Sequence, residues 1–166
     1  GFPVARPLLL CTDDRFIGAS FYVMEHAEGR VFWEPHAPGL AASERAALFD
    51  SLNATIAQLH RVDVTAAGLN DFGKPQGYVA RQIKRWSEQY RASETEAVAE
   101  MDRLMAWLPG ACPAEPGAAI VHGDFRLENM FFPARAEHPP FAIVDWQSIT
   151  WSSPGQDLSY YLTQSV

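Results

Sequence analysis

Residues 121–132 read VHGDFRLENMFF. A solvated turn needs only Gly and a small polar residue, yet this one sets a carboxylate at Asp124, a cation at Arg126 and an amide at Asn129 between apolar positions, Val121 before and Met130, Phe131 and Phe132 after. The flanks imply a polar cluster held on a buried scaffold. Upstream, AAIVHGD (118–124) is a short apolar run entering the loop, and downstream FAIVDW (141–146) is a second, ending in Asp145 and Trp146. Both have the length and composition of buried strand endings.

The spacing carries a chemistry. Asp124, Asn129 five residues on, and Asp145 at the end of the next apolar run form the minimum set that moves a phosphoryl group from a nucleotide to a hydroxyl. One carboxylate must orient the acceptor hydroxyl and accept its proton. An amide and another carboxylate must hold Mg²⁺ against the phosphate oxygens, because charge there has to be neutralised in the transition state. In this pattern Asp124 is the base, Asn129 and Asp145 are the metal ligands, and Arg126 could reach the transferring phosphate or form a structural ion pair. His122 and Asp157 read as structural: the first packs and bonds loop backbone, the second is a buried carboxylate tying the loop's N–H groups.

Away from the loop, PLLLC (7–11) and SFYVME (20–25), separated by the turn-rich TDDRFIGA, predict a β-hairpin. From Ser43, a plausible N-cap, the period becomes helical, with Leu48, Leu52, Ile56 and Leu59 on one face and His60 and Arg61 at the C-terminal end. A second helix carries Val79, Ile83, Trp86 and Tyr90 as its apolar stripe, with Arg81, Lys84, Arg85 and Arg91 largely off it. A third is signalled by Ser93 and Glu96 as a capping box, Val98, Met101, Leu104, Met105 and Leu108 as a stripe, and Pro109-Gly110 as a stop. These stripes are expected in the core. In the final segment Leu158, Tyr161 and Leu162 share a helical face, no capping signal follows, and the chain reads as ending inside a helix.

Composition narrows the class. A chain of 166 residues, 48% hydrophobic, can bury one sizeable core. Its net charge of −7, without a basic cluster, argues against a nucleic-acid partner. Cys11 and Cys112 lie far apart with no CxxC or metal spacing, which suits a reducing compartment. No stretch approaches the roughly 20 apolar residues of a membrane helix, and RPLLLC is too short for a signal peptide. The expectation is a cytoplasmic protein with no membrane partner.

HGDFRLEN (122–129) followed by IVDW (143–146) resembles the catalytic loop and metal-binding Asp of the aminoglycoside phosphotransferase family, small-molecule relatives of the protein kinases. FYVMEHAEGRVF (21–32) resembles that family's hinge, IAQLHRVD (56–63) its first large-lobe helix, GYVARQIKRW (77–86) a subgroup segment, and GQDL (155–158) the Asp that braces the catalytic loop. The subgroup is one whose kinase-like domain is fused to an acyl-CoA dehydrogenase in animals. The resemblance implies an α+β, protein-kinase-like fold, here partial: residues 1–27 as the end of the small β lobe with its hinge, and residues 28–166 as a mostly helical large lobe with the catalytic loop. It implies Mg²⁺ and ATP or GTP as cofactors, the purine contacting the hinge at Met24, Glu25, His26 and Ala27, and a small-molecule alcohol as acceptor, tilted toward a hydroxyacyl or lipid-derived one. Gly123 after His122, and Trp146-Gln147 after Asp145, depart from the protein-kinase pattern and argue against a protein substrate.

The family's nucleotide-covering loop and strand Lys would precede the hinge, and Lys74 and Lys84 both lie after it. The chain alone is therefore expected to be nearly inactive and to self-associate through exposed apolar surface near FYVM. The alternative is a degenerate, non-catalytic kinase-like binding domain. A metal-dependent hydrolase built on His122, Asp124 and Asp145 is the weaker third reading, since the five histidines show no HxH or HxxxH pairing.

Overall fold

The computed structural model describes residues 2–112, 114, 117–133 and 142–164. The first elements are the expected hairpin, β1 (Pro7–Cys11) and β2 (Phe21–Met24), paired antiparallel with Leu10 opposite Tyr22 and Cys11 opposite Phe21. Leu8, Leu9, Leu10, Tyr22 and Val23 are all exposed, so this ribbon is open on both faces.

Helix α1 (Ala42–His60) forms the centre of the core. Its predicted stripe is buried: Leu48, Leu52, Ile56 and Leu59 join Phe32, Ile120, Phe125, Leu127, Met130, Phe132 and Ile143 in one cluster. The N-cap is Ala41 rather than Ser43. Ala has no cap oxygen, and the Glu44 carboxylate does the work instead, accepting the Ala41 N–H at 2.8 Å.

Helices α2 (Tyr78–Ser93) and α3 (Ala99–Ala111) depart from the expectation of a core position, because neither contains a buried residue. Their stripes face each other across an open groove of about 1090 Å³, floored by residues 147–156, with Trp86 59% exposed. The Arg91 guanidinium clamps the pair by bonding Glu94 and Asp102. The Ser93 capping box does not form. Ser93 is the last residue of α2, its hydroxyl donating to the Gln89 and Tyr90 carbonyls, and α3 starts at Ala99 after an uncapped Val98. Pro109-Gly110 fall within the last turn of α3 instead of stopping it. A proline this late forfeits a single intrahelical bond.

Two short antiparallel pairs carry the loop. β3 (Ala119–Val121) pairs with β6 (Thr150–Ser152), and β4 (Met130–Phe131) pairs with β5 (Ala142–Ile143). Arg30 and Phe132 exchange backbone hydrogen bonds at 2.9 Å, and the Ile143 N–H donates to the Pro3 carbonyl, tying both ends of the N-terminal segment to this layer. Helix α4 (Gly155–Gln164) follows, with Asp157 fully buried in its first turn. The side chain of Tyr161, placed on the α4 face by the sequence, lies outside the described residues, as does the Phe141 that opens the second apolar run.

Candidate active site

The loop between β3 and β4 is held from three directions. The Asp157 carboxylate accepts the His122 N–H at 2.9 Å and the Gly123 N–H at 2.8 Å. On the opposite side, His122 Nε2 donates to the Val144 carbonyl at 3.0 Å while its Nδ1 accepts the Asp124 N–H at 3.2 Å. That pairing requires the neutral ring, and burial does hold the His122 pKa below its ordinary value, against the pull of the Val144 carbonyl and of Asp157, Asp124 and Asp145. The ring stands edge-on to Trp146, centroids 4.6 Å apart. Third, Gly123 has φ of +84°, and a Cβ there would sit 2.3 Å from the Ser148 carbonyl oxygen. Only glycine fits both the conformation and the space.

These restraints deliver Asp124. Its Oδ2 accepts a hydrogen bond from Asn129 Nδ2 at 2.9 Å, and the same amide reaches the Asp124 carbonyl at 3.0 Å. Its Oδ1 faces Arg126 Nε at 3.3 Å; both atoms are buried, and neither makes a hydrogen bond. Arg126 also bonds Glu128 at 2.9 Å, so its guanidinium is shared between two carboxylates. The structural ion pair weighed from the sequence is present.

Asp145 arrives from the neighbouring strand. The Val144 N–H donates to the Asn129 carbonyl at 2.9 Å, which ties the segment ending in Asp145 to the residue bearing the amide. Asp145 itself is left-handed, φ +62° and ψ +57°, a conformation that costs most side chains and that Asp tolerates better than most. It turns the chain into the short 3-10 turn Trp146–Ser148. Arg126 and Asn129 are thus linked to Asp124, the segment bearing Asp145 is tied to the Asn129 backbone, and the charges of Asp124 and Asp145 both act on the buried His122 ring.

The hinge residues divide. Met24 lines a cleft of about 580 Å³ together with Val4, Pro7, Tyr22, Asp145 and Trp146. Glu25, His26 and Ala27 follow it in the chain without lining the cleft, and the Glu25 N–H is engaged by the Arg6 carbonyl at 2.9 Å. The walls are mostly apolar, with Asp145 and Gln147 at one side, the make-up of a pocket for a flat ring with a polar, anionic corner. Among the described residues, no group of three or more His, Cys, Asp or Glu is arranged so that it could hold a metal ion.

Sequence reasoning missed two participants. Glu128 was visible two residues beyond Arg126 and went unread. His60, taken as a helix-end charge, has its Nε2 at 2.9 Å from Asp157, a contact 97 residues away that no local pattern signals.

The model of the phosphotransferase enzyme family, APH, matches residues 1–165. The chain is 41% identical over 171 residues to acyl-CoA dehydrogenase family member 10 of Mus musculus, covering 99% of this chain and 16% of that protein. It superposes on the crystal structure of a candidate aminoglycoside phosphotransferase from Ralstonia eutropha with a TM-score of 0.87 and 45% identity, covering 96% of this chain and 49% of the other. A GDP complex of aminoglycoside 2'-phosphotransferase-IIIa shares the fold at a TM-score of 0.69 and 16% identity, over 99% of this chain and 56% of that one. The chain therefore spans about half the length of its structural neighbours and a sixth of the mouse protein. Among the described residues, its small sheets and four helices are the kinase-like α+β arrangement of these structures. With the match running from the hairpin to α4, this chain belongs to the APH phosphotransferase family.

Proposed function

We propose that the chain is the catalytic part of a phosphotransferase that moves the γ-phosphate of ATP or GTP to a hydroxyl of a small molecule. The observation that carries this reading is the three-way junction in which Asn129 bonds Asp124 through its side chain and the Val144 backbone, next to Asp145, through its carbonyl. Asp124 orients the acceptor hydroxyl and takes its proton. With Asn129 Nδ2 engaged by Asp124, its Oδ1 would be the amide atom left to hold a cation, and Asp145 would supply the anionic ligand. An amide oxygen and a carboxylate form a hard-oxygen pair that fits Mg²⁺, an ion that takes one or two protein ligands beside substrate phosphates. When bound, that ion neutralises charge on the transferring group.

Arg126 contributes a positive charge whose Nε is not yet hydrogen-bonded. The cleft beside Met24 takes the purine, with Tyr22 and Trp146 as walls; hinge contacts from the backbone of Glu25 and Ala27 would require that segment to come closer than it lies here, because neither residue lines the cleft. The GDP complex of a family neighbour supports nucleotide use. Neither Lys74 nor Lys84 lines this cleft, so the isolated chain is expected to turn over slowly, and its two-faced hairpin favours self-association.

The test is Mg·ATP and Mg·GTP turnover by the full-length protein across a panel of alcohol acceptors, including hydroxyacyl compounds. Asp145→Ala should abolish Mg²⁺-dependent turnover while the fold is retained, and Asn129→Ala should be milder because a neutral ligand is lost. Full activity of the Asp145 variant would remove the assignment.

A further inference from the structure

The groove between α2 and α3 carries a charge pattern of its own. Its walls are the two apolar stripes, with Ile83, Trp86 and Tyr90 on one side and Met101, Leu104 and Leu108 on the other. Its floor adds hydroxyls and amides, from Gln147, Ser148, Thr150 and Gln156 among others, and no charge. Among the described residues that line it there is no Asp or Glu, and Arg85 is the one charged side chain. In a chain of net charge −7, a groove free of carboxylates is a local inversion of the overall field.

Arg85 also differs from the other basic residues of its helix. Arg81 donates to the Gln76 and Lys74 carbonyls, Lys84 pairs with Glu88, and Arg91 is held by Glu94 and Asp102. Arg85 has no ion-pair partner among the described residues, and its guanidinium stands 6.0 Å from the centre of the Trp86 ring, on the groove wall. A guanidinium left with unfilled donors at the edge of an apolar groove is suited to an anion carried on an apolar body. Gly123 belongs to the same lining, so the groove reaches the backbone immediately before Asp124. A ligand lying in it therefore runs from the proposed base, between two apolar stripes, to a free cation.

We propose that this groove takes the acceptor and that the acceptor is an anionic long-chain alcohol, with its hydroxyl at the Gly123 end, its alkyl chain between α2 and α3, and its carboxylate or phosphate on Arg85. This rests on the phosphotransferase reading above and gives its acceptor a class. The acceptor oxygen bonds to the γ-phosphorus, the bond from that phosphorus to the β–γ bridging oxygen breaks, the nucleoside diphosphate leaves, and the hydroxyl proton passes to Asp124. A polycationic aminoglycoside is disfavoured in the same groove, because its ammonium groups would lose water against apolar walls, find no carboxylate and meet Arg85.

The experiment uses the full-length protein as wild type, Arg85→Gln and Arg85→Glu, changes at an exposed position that leave the fold intact. ADP formation from Mg·ATP is measured with hydroxydecanoates bearing the hydroxyl at successive carbons, with their coenzyme A thioesters, with the matching decanediols, which lack the anion, and with kanamycin as the polycation. Decanoate and decylammonium, which carry the chain without a hydroxyl, are titrated by calorimetry in parallel. The anionic acceptors should exceed the diols, and kanamycin should not react. Arg85→Gln should lower kcat/KM for the anionic acceptors about fivefold through KM, leaving the diols and the KM for ATP within about twofold, and Arg85→Glu should lower it further. A thioester preferred over its free acid places phosphate on Arg85, and the reverse preference places carboxylate there. Kanamycin as the best acceptor, or equal losses for hydroxydecanoates and diols in Arg85→Gln, would overturn the proposal. If wild type phosphorylates nothing in the panel, the phosphotransferase reading is what fails, and the titrations decide the groove. Decanoate binding that weakens in Arg85→Gln while decylammonium binding does not would uphold Arg85 as the anion contact. No binding of decanoate would mean that another segment or a second copy of the chain fills the groove, and the proposal would fall.

Discussion

Helix α1 and the α2–α3 pair carry the same sequence signal, an apolar residue every three or four positions, and end in opposite environments. Leu48 and Leu52 of α1 have no exposed surface, whereas Leu104 on the α3 stripe is 42% exposed and Trp86 on the α2 stripe 59%. The difference lies in what stands opposite. α1 faces β3, the loop and β4, whose Ile120, Phe125, Leu127 and Met130 close over it. α2 and α3 face mainly each other across a wide groove. Periodicity states which side of a helix is apolar, and burial additionally needs an apposed surface of matching shape.

The largest effect should come from breaking the tightly restrained side of this comparison at its narrowest point. Gly123→Ala puts a methyl group 2.3 Å from the Ser148 oxygen at a φ that alanine disfavours, so either the loop or residue 148 must move. A displacement of about 1 Å at the base is enough to cost about a hundredfold in turnover. Steady-state kinetics of the variant, with circular dichroism to confirm the fold, checks this. Turnover near wild type would mean that the loop has slack, and the contrast with α2–α3 would lose its meaning.

An intermediate effect tests burial itself. Leu52→Ala removes a fully buried side chain from α1 and should cost about 2–5 kcal/mol, whereas Leu104→Ala in α3, 42% exposed, should stay below about 1 kcal/mol. Denaturant midpoints at unchanged slope measure both. Equal losses would show that the groove is closed in solution and that α3 is core after all.

The same contrast separates what the sequence announced from what it withheld. The hairpin, α1 with its buried stripe, and the two strand endings around HGDFRLEN and IVDW were legible because local period and composition agree there with the tertiary outcome. Ser43 and the Ser93-Glu96 pair had the right residue types for caps, but a cap forms where the chain turns, and that was decided by Glu44 reaching Ala41 and by α2 continuing through Ser93. Asp124, Asn129 and Asp145 could be selected by spacing because the chemistry proposed for them asks for that set. The bonds that aim them could not: His60 to Asp157 and His122 to Val144 link positions 97 and 22 residues apart, and only the folded layers bring them together. For the hinge, the side chain lining the cleft is Met24 alone among the four residues chosen, because Glu25, His26 and Ala27 lead the chain away from it.

The smallest expected effect is a pH dependence confined to the restrained side. His122 is neutral in the fold, with Nδ1 accepting the Asp124 N–H, and burial depresses its pKa below the 6.5 it has in an unfolded chain. Between that value and the lower folded pKa, the unfolded chain binds a proton that the folded chain does not, so stability rises with pH across the window. The contribution is fully present above about pH 6.5 and is lost as pH falls toward the folded pKa, at no more than about 1.4 kcal/mol per pH unit for one proton. The α2–α3 pair has no buried histidine among its described residues and should add nothing in this range. Thermal midpoints measured between pH 5 and 8 should fall on the acid side in the wild type, and the part of the slope nearest pH 6.5 should disappear in His122→Gln, which keeps a hydrogen-bonding side chain that does not titrate. An unchanged slope in that variant would move the acid sensitivity to the carboxylates and leave His122 with packing and hydrogen bonding alone.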